Sequence, residues 1–382
     1  MTGAMTATMT GATSRARDKA AVRAQAQRLH ARFRAAGAVT VETDILQPAE
    51  TLLDLYGEDI RARAYVTADP ARGEMMLRPD FTVPVVQMHM AGGAEPARYT
   101  YLGEVFRRQD IPGPRASEYL QVGYEVFDRA DPAAADAEVF ALFDDILRPL
   151  GLRPVTGDIG LLMAAVACLE TTPARRAALR RHIWRPARFR ALLDRFGGRA
   201  APDPARTALI GRLRSGDIAA QIAAAGPEIG KRAAAEVLAR AEVLLADAGA
   251  APIPAPQVDA VEGLLALACP AADALGALRA LTQALPGLET ARARFAARLA
   301  ALEARGIDPG ALAFEASFGR TTMEYYDGFV FGFLSGQGDL PPVATGGRYD
   351  ALTAVLGRDG AAIPAVGGVI RPAVVAALGG IA

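Results

Sequence analysis

The chain has 382 residues, 51% hydrophobic and 22% charged, enough apolar material for one large domain or two moderate ones. Its 42 basic and 42 acidic side chains cancel, so nothing pulls nucleic acid globally and a tRNA or DNA role would need a local basic face. Cys168 and Cys269 lie far apart in apolar sequence that reads as helical, and His30, His89 and His182 are scattered, which excludes a disulfide framework and a paired-histidine metal site.

Residues 1–15 are small and polar and read as a disordered tail, not a secretory signal. No run approaches about 18 uninterrupted apolar residues, so a cytoplasmic protein without a membrane span is expected. Val22, Ala26, Leu29 and Phe33 recur at helical steps and predict a helix from Arg17 to about Ala36, ended by Gly37. A strand over Val39–Ile45, a turn at Gln47-Pro48 and a short helix around Leu52–Tyr56 follow. Ala64–Thr67, Glu74–Leu77, Tyr99–Arg107 and Tyr119–Phe127 are short, aromatic or β-branched, and bounded by turn residues, as strands of an antiparallel sheet are. Helices are expected at Val83–Met90 and after Asp131-Pro132, the latter with Val139, Phe140, Phe143, Ile146 and Leu147 on one face. From Asp158 to about Arg305 the chain is rich in alanine, leucine and arginine, with helical periodicity and proline breaks. Strands return at Leu312–Phe318, Tyr326–Leu334 and Pro342–Gly346, before a helix near Arg348–Leu356. The expected class is α+β: a discontinuous sheet core over 16–157 and 306–382, interrupted by a helical insertion over 158–305.

Four segments concentrate residues able to hold a small zwitterion. Asp80 and Thr82, two apart after a strand, could grip an ammonium group or simply cap the following helix. Arg107 offers a guanidinium fork for a carboxylate or phosphate, or a plain surface ion pair. Period two places Gln121, Gly123 and Glu125 on one face, with Gly123 leaving open space between two polar groups that are costly to bury unsatisfied. Tyr325 and Tyr326, with Gly346-Gly347-Arg348-Tyr349 twenty residues on, could stack on or hydrogen-bond to a ligand. Three other patterns carry no chemistry. Gly226–Lys231 is one residue short of a P-loop, Asp144-Asp145 sits mid-helix, and the arginines of Arg175–Arg195 are spaced around a helix as on a solvated face.

In order and spacing these segments resemble the class II catalytic domain of histidyl-tRNA synthetases, from about residue 17 to 370. Leu77–Thr82 is similar to the LRPEGT signature and Phe106–Gln109 to the motif 2 FRxE. Glu118–Phe127 is similar to QFHQxGxEVFG, Met323–Tyr326 to RGLDYY, and Thr345–Leu352 to AGGRYDGL. The resemblance implies histidine held at its amino group by Asp80 and Thr82, at its carboxylate by Arg107, and lined by Gln121 and Glu125, with Tyr325 and Tyr326 around the imidazole. Arg115 matches an arginine facing ATP phosphates. The catalytic parts depart from the pattern. Gln109 replaces the motif 2 glutamate, and Thr321 stands at the RGLDYY arginine. Arg320 is one residue off, which on a strand turns it to the other face. Arg371 comes early in motif 3, and an anticodon-binding domain is not expected after it. A missing cation on developing phosphate charge costs orders of magnitude in rate.

This combination resembles the regulatory subunits of ATP phosphoribosyltransferase. It implies a non-catalytic chain without cofactor or metal, and a homodimer formed around Pro48 within a hetero-oligomer. Its partner would be a short-form catalytic subunit and its effector L-histidine, mediating feedback on the first step of histidine biosynthesis; no tRNA or membrane partner is implied. The alternatives are a truncated synthetase-like enzyme forming histidyl-adenylate, a paralogue acting on a protein or another amino acid, and a scaffold with a vestigial pocket. Asp80 and Phe81, where the family has Glu and Gly, alter the pocket's volume.

Overall fold

The computed structural model describes residues 2–50, 62–109, 116–226, 233–321, 325–337, 340–357, 360 and 362–381. The expected helix at Leu52–Tyr56, the P-loop-like stretch, Arg115 and the Met323-Glu324 pair lie wholly or largely outside these residues.

The chain forms two compact units. The first comprises Met1–Gly160, Leu267–Ala277 and Arg292–Ala382; the second comprises Leu161–Ala266 and Leu278–Ala291. The strands in chain order are β1 (Val39–Thr40), β2 (Leu46–Pro48), β3 (Val66–Asp69), β4 (Gly73–Leu77), β5 (Ala97–Phe106) and β6 (Glu118–Phe127). They continue with β7 (Arg153–Asp158), β8 (Ala268–Pro270), β9 (Ala313–Glu315), β10 (Phe329–Leu334), β11 (Ala344–Arg348) and β12 (Ala365–Ile370). Nine of them form one sheet in the order β1-β5-β6-β12-β11-β10-β7-β9-β8. Its body from β5 to β7 is antiparallel throughout; β1 joins β5 and β9 joins β7 in parallel.

The structure departs from expectation in several places. The first helix runs Thr2–Ala35 and so covers the segment read as a tail. Gln47-Pro48, read as a turn, ends β2, which lies at the edge of a small β2-β4-β3 sheet, where a proline removes no ladder bond on its outer side. Residues 267–277 and 292–305 were assigned to the insertion but belong to the sheet unit. One reason is β8, which pairs with β9 and places Cys269 on a strand, not a helix. The other is Arg298, whose guanidinium pairs with Asp136 (3.3 Å) and Asp158 (2.5 Å). Short β7 and glycine-rich β12 gave too little periodic signal to be read as strands.

Alternation assigns the two faces of the main sheet different roles. Tyr124 on β6 and Phe331 on β10 face the helices. Phe33 of the first helix lies 5.4 Å from Tyr124, and Phe143 of helix Pro132–Leu147 lies 5.4 Å from Phe331. That helix begins as expected, with the Asp131 carboxylate accepting from Ala134 N at 2.9 Å, and its apolar face is buried. Gln121, Gly123 and Glu125 turn to the opposite face.

In the second unit prolines segment the chain: Pro173, Pro186 and Pro204 each stand in the first turn of a helix. The single helix expected over Arg175–Arg195 is therefore two, Pro173–Arg181 and Pro186–Phe196. Arg175 is buried rather than solvated, because Asp247 takes its Nε at 2.5 Å and the Ala251 carbonyl takes its Nη1 at 2.8 Å. Among the described residues no helix is long and apolar enough to cross a membrane.

Candidate functional site

Glu125 is the centre of the site. It is 1% exposed, near the end of β6 on the face opposite the first helix and helix Pro132–Leu147. Three hydroxyls donate to it: Thr82 Oγ1 (3.1 Å) and Tyr101 OH (2.9 Å) to Oε1, and Tyr349 OH (2.6 Å) to Oε2. Burial pushes its carboxyl up to about 7 against the pull of these donors, and the nearby Asp80 charge adds to the rise. Burial, followed by the Glu125 charge, likewise raises the Tyr101 and Tyr349 hydroxyls well above 10, so both remain donors.

Glycine spacing on neighbouring strands makes room for this group. Gly367 on β12 is the residue directly beside Glu125, and a Cβ there would overlap Glu125 Oε2. Gly347 does the same for the Tyr326 ring. Gly123 behaves differently from expectation. It faces Tyr101 across the β5–β6 ladder, and the Tyr101 ring lies over it, filling the space read as open. Phe81 stacks on Tyr101 with centroids 4.3 Å apart and planes 10° apart, and the Arg78 guanidinium lies 3.9 Å over Phe81.

The helix-cap alternative for Asp80 and Thr82 does not hold. The helix runs Thr82–Met90 with Phe81 as its cap residue and no side-chain capping bond. Thr82 instead spends its hydroxyl on Glu125. Asp80 is 2% exposed, with Arg107 Nη2 3.9 Å from its Oδ2. Arg107 follows the last residue of β5 and is fixed by Nε donating to the Pro79 carbonyl at 2.9 Å. Gln121 is buried on the Glu125 face, its Oε1 without a hydrogen-bond partner among the described residues. Tyr325 and Tyr326 are nearly buried, their ring centroids 4.9 Å apart, with Tyr325 edge-on to Tyr349 at 6.2 Å. Burial raises the Tyr326 hydroxyl, with the Glu125 and Asp80 charges adding to it.

The structure thus gathers Thr82, Glu125, Asp80, Arg107, Tyr325 and Tyr326 around two buried carboxylates and one arginine, with Gln121 on the same face. This set suits an ammonium group beside a carboxylate. Tyr101 and Tyr349 were missing from the sequence-derived set. Tyr349 lay within a motif, whereas Tyr101 had one usable signal: it is the aromatic directly opposite Gly123. Asp327, immediately after the tyrosine pair, accepts from the backbone N–H groups of Asp350 (3.1 Å) and Ala351 (2.6 Å), fastening that loop to the helix after Tyr349. Arg320 and Thr321 lie in a turn, not on a strand, so alternation does not govern them; Arg320 is buried and Thr321 exposed. Arg371 stands at the cap of helix Pro372–Ala377 and donates to the Pro342 carbonyl at 2.6 Å. No cluster of metal-ligating side chains occurs among the described residues.

An antiparallel sheet bearing this pocket defines a protein of the class II aminoacyl-tRNA synthetase type. The histidyl-tRNA synthetase family model matches residues 14–250 and 217–373. The ATP phosphoribosyltransferase regulatory subunit of Mesorhizobium japonicum is 34% identical over 351 residues, spanning 88% of this chain and 92% of that protein. That of Rhizobium meliloti is 33% identical over 355 residues, spanning 89% and 92%. Among solved structures, an ATP phosphoribosyltransferase regulatory subunit/histidyl-tRNA synthetase from Bacillus halodurans superposes with TM-score 0.65 at 19% identity, over 94% of this chain and 79% of that one. A histidine–tRNA ligase subunit from Alicyclobacillus acidocaldarius gives 0.57 at 23% identity, over 94% and 93%. The chain belongs to the histidyl-tRNA synthetase-like family, within its ATP phosphoribosyltransferase regulatory subunits.

Proposed function

We propose that this chain is a non-catalytic, histidine-sensing subunit of a two-component ATP phosphoribosyltransferase. A short-form catalytic subunit depends on it for activity and is feedback-inhibited through it. The observation that carries the reading is the pair of buried carboxylates, Glu125 and Asp80, with the Arg107 guanidinium 3.9 Å from Asp80, a charge pattern complementary to an amino-acid zwitterion. The ammonium group sits between Asp80, Thr82 and Glu125, the carboxylate meets Arg107, and Gln121, Tyr325 and Tyr326 surround the side chain. Arg115, a possible anion contact, belongs to this reading only by resemblance.

Regulation follows from where these residues lie. Arg107 leads out of β5 into a connecting loop, and Tyr325-Tyr326 precede β10, so a ligand bridging them biases two loops at once. If those loops contribute to the surface that meets the catalytic subunit, histidine and partner are coupled, and each changes the other's affinity by the same factor. The complex is a hetero-oligomer containing a homodimer of this chain, in the cytoplasm.

The test is to mix the chain with a short-form catalytic subunit and titrate L-histidine while following product formation. Activation on mixing, with inhibition that Glu125→Gln relieves, is expected. An unchanged rate on mixing would overturn the regulatory role. Histidine-dependent ATP–pyrophosphate exchange by the chain alone would establish the adenylate-forming alternative instead.

A further inference from the structure

The helical unit holds a group of cations for which the histidine reading has no use. Asp247, near the end of helix Ala234–Gly249, has both carboxylate oxygens occupied: Oδ1 by Arg175 Nε and Oδ2 by Arg206 Nη2, each at 2.5 Å. Arg175 also donates to the carbonyls of Asp247 (2.7 Å) and Ala251 (2.8 Å), so it holds the helix end and has little left to offer.

Arg188 and Arg195 differ from it. Seven residues apart on helix Pro186–Phe196, they lie about two turns apart on one side. Both are exposed, and neither makes a hydrogen bond or ion pair among the described residues. The Arg195 guanidinium lies 4.6 Å from the Phe196 ring centroid, and Arg175 lies 5.1 Å from the same ring. Burial acts on Arg195 first, and among the charges that follow, Arg206, Arg175 and Arg188 are cations and Asp247 is an anion. Both oxygens of Asp247 are thus taken by Arg175 and Arg206, and Arg188 and Arg195 have no share in that carboxylate.

We propose that Arg188, Arg195 and Arg206 form a binding site for a small phosphate-bearing ligand of the diphosphate class. A multiply charged anion offsets the cation charge that Asp247, taken by Arg175 and Arg206, leaves on Arg188 and Arg195. Its oxygens match guanidinium forks bidentately, and the ring under Arg195 orients one fork in advance. Because the cluster is open to solvent, its attraction is screened and falls as salt rises. This inference is independent of the histidine reading and concerns residues on the other unit.

The test is calorimetric titration of inorganic pyrophosphate into the full chain at fixed ionic strength, with inorganic phosphate and a short RNA hairpin as separate titrants. One saturable pyrophosphate site is expected, tighter than that for phosphate. Arg188→Gln and Arg195→Gln should each weaken it about tenfold, while Arg279→Gln, an exposed arginine on another helix, leaves it unchanged. Arg188 and Arg195 are solvent-facing, so their variants keep the fold, checked by unaltered L-histidine affinity and melting temperature. The absence of saturable binding, binding that both variants retain, or binding of RNA without pyrophosphate would each overturn the site.

Discussion

Glu125 gathers three hydroxyl donors on one buried carboxylate, and its titration gives a measurable consequence. Its ordinary value of 4.5 rises to about 7 in the fold, chiefly through burial. A folded value above the unfolded one means the fold binds the proton more tightly. The group's contribution to stability is therefore complete below about pH 4.5 and is lost as pH rises through about 7. The loss is on the order of 3 kcal/mol, at about 1.4 kcal/mol per pH unit. Urea unfolding of the unliganded chain followed from pH 4.5 to 8 should show this decline, and Glu125→Gln should remove it; an unchanged slope in the variant would place the titration elsewhere. Gly367→Ala drives a Cβ into Glu125 Oε2. It should weaken L-histidine binding about tenfold, the worth of one hydrogen bond to a charged group, without loss of folded signal. At this scale the sequence named Glu125, because polar residues on a strand's alternate positions need partners, and Thr82, because its hydroxyl follows a strand two residues after Asp80. It could not name Tyr101, whose role depends on a ring crossing to the next strand.

Between elements, a buried ion cluster ties the sheet to its helices. Arg348 on β11 donates to Asp136 (Nε 3.0 Å, Nη2 2.7 Å) and through Nη1 to Asp350 (2.9 Å), while Arg298 joins Asp136 to Asp158. Burial and its Arg348 and Arg298 neighbours act on the Asp136 carboxyl in opposite directions, and burial prevails to raise it. Removing one partner from such a set leaves a buried charge uncompensated, which costs about 3–5 kcal/mol. Arg298→Met should lower the unfolding free energy by that amount at an unchanged denaturant slope. A loss below about 1 kcal/mol would mean the cluster is relaxed by water. The sequence placed the helix from Pro132 and the strands from Ala97 and Glu118 well, since an Asp-Pro start and period-two aromatics are local signals. It misplaced the insertion boundary because β8 and Arg298 act through partners far along the chain.

For the whole molecule, a ligand that binds only folded chain stabilises it by mass action. L-histidine at 100 times its dissociation constant should add about 2.7 kcal/mol to unfolding. If the two units melt separately, the gain should fall on the transition of the sheet unit; a shift confined to the helical unit would place the ligand elsewhere. The Arg320–Thr321 region bears on the same question. Its turn conformation removes the alternation argument against a catalytic cation, so the exchange assay, not the sequence register, decides whether adenylate forms.

By itself the sequence determined the α+β architecture, the order of the motifs and Glu125 with one of its three hydroxyl donors, Thr82, because periodicity, turn residues and motif spacing are written locally. Only the tertiary structure decided that Gly123 lies under the Tyr101 ring, that Gly367 makes room for the Glu125 carboxylate, and that Thr82 donates to it instead of capping a helix. It also decided which arginines are consumed as Arg175 is, and which are left facing solvent as Arg188 and Arg195 are. Those outcomes depend on distances between strands and helices remote in sequence, and the packing of the folded chain alone sets them.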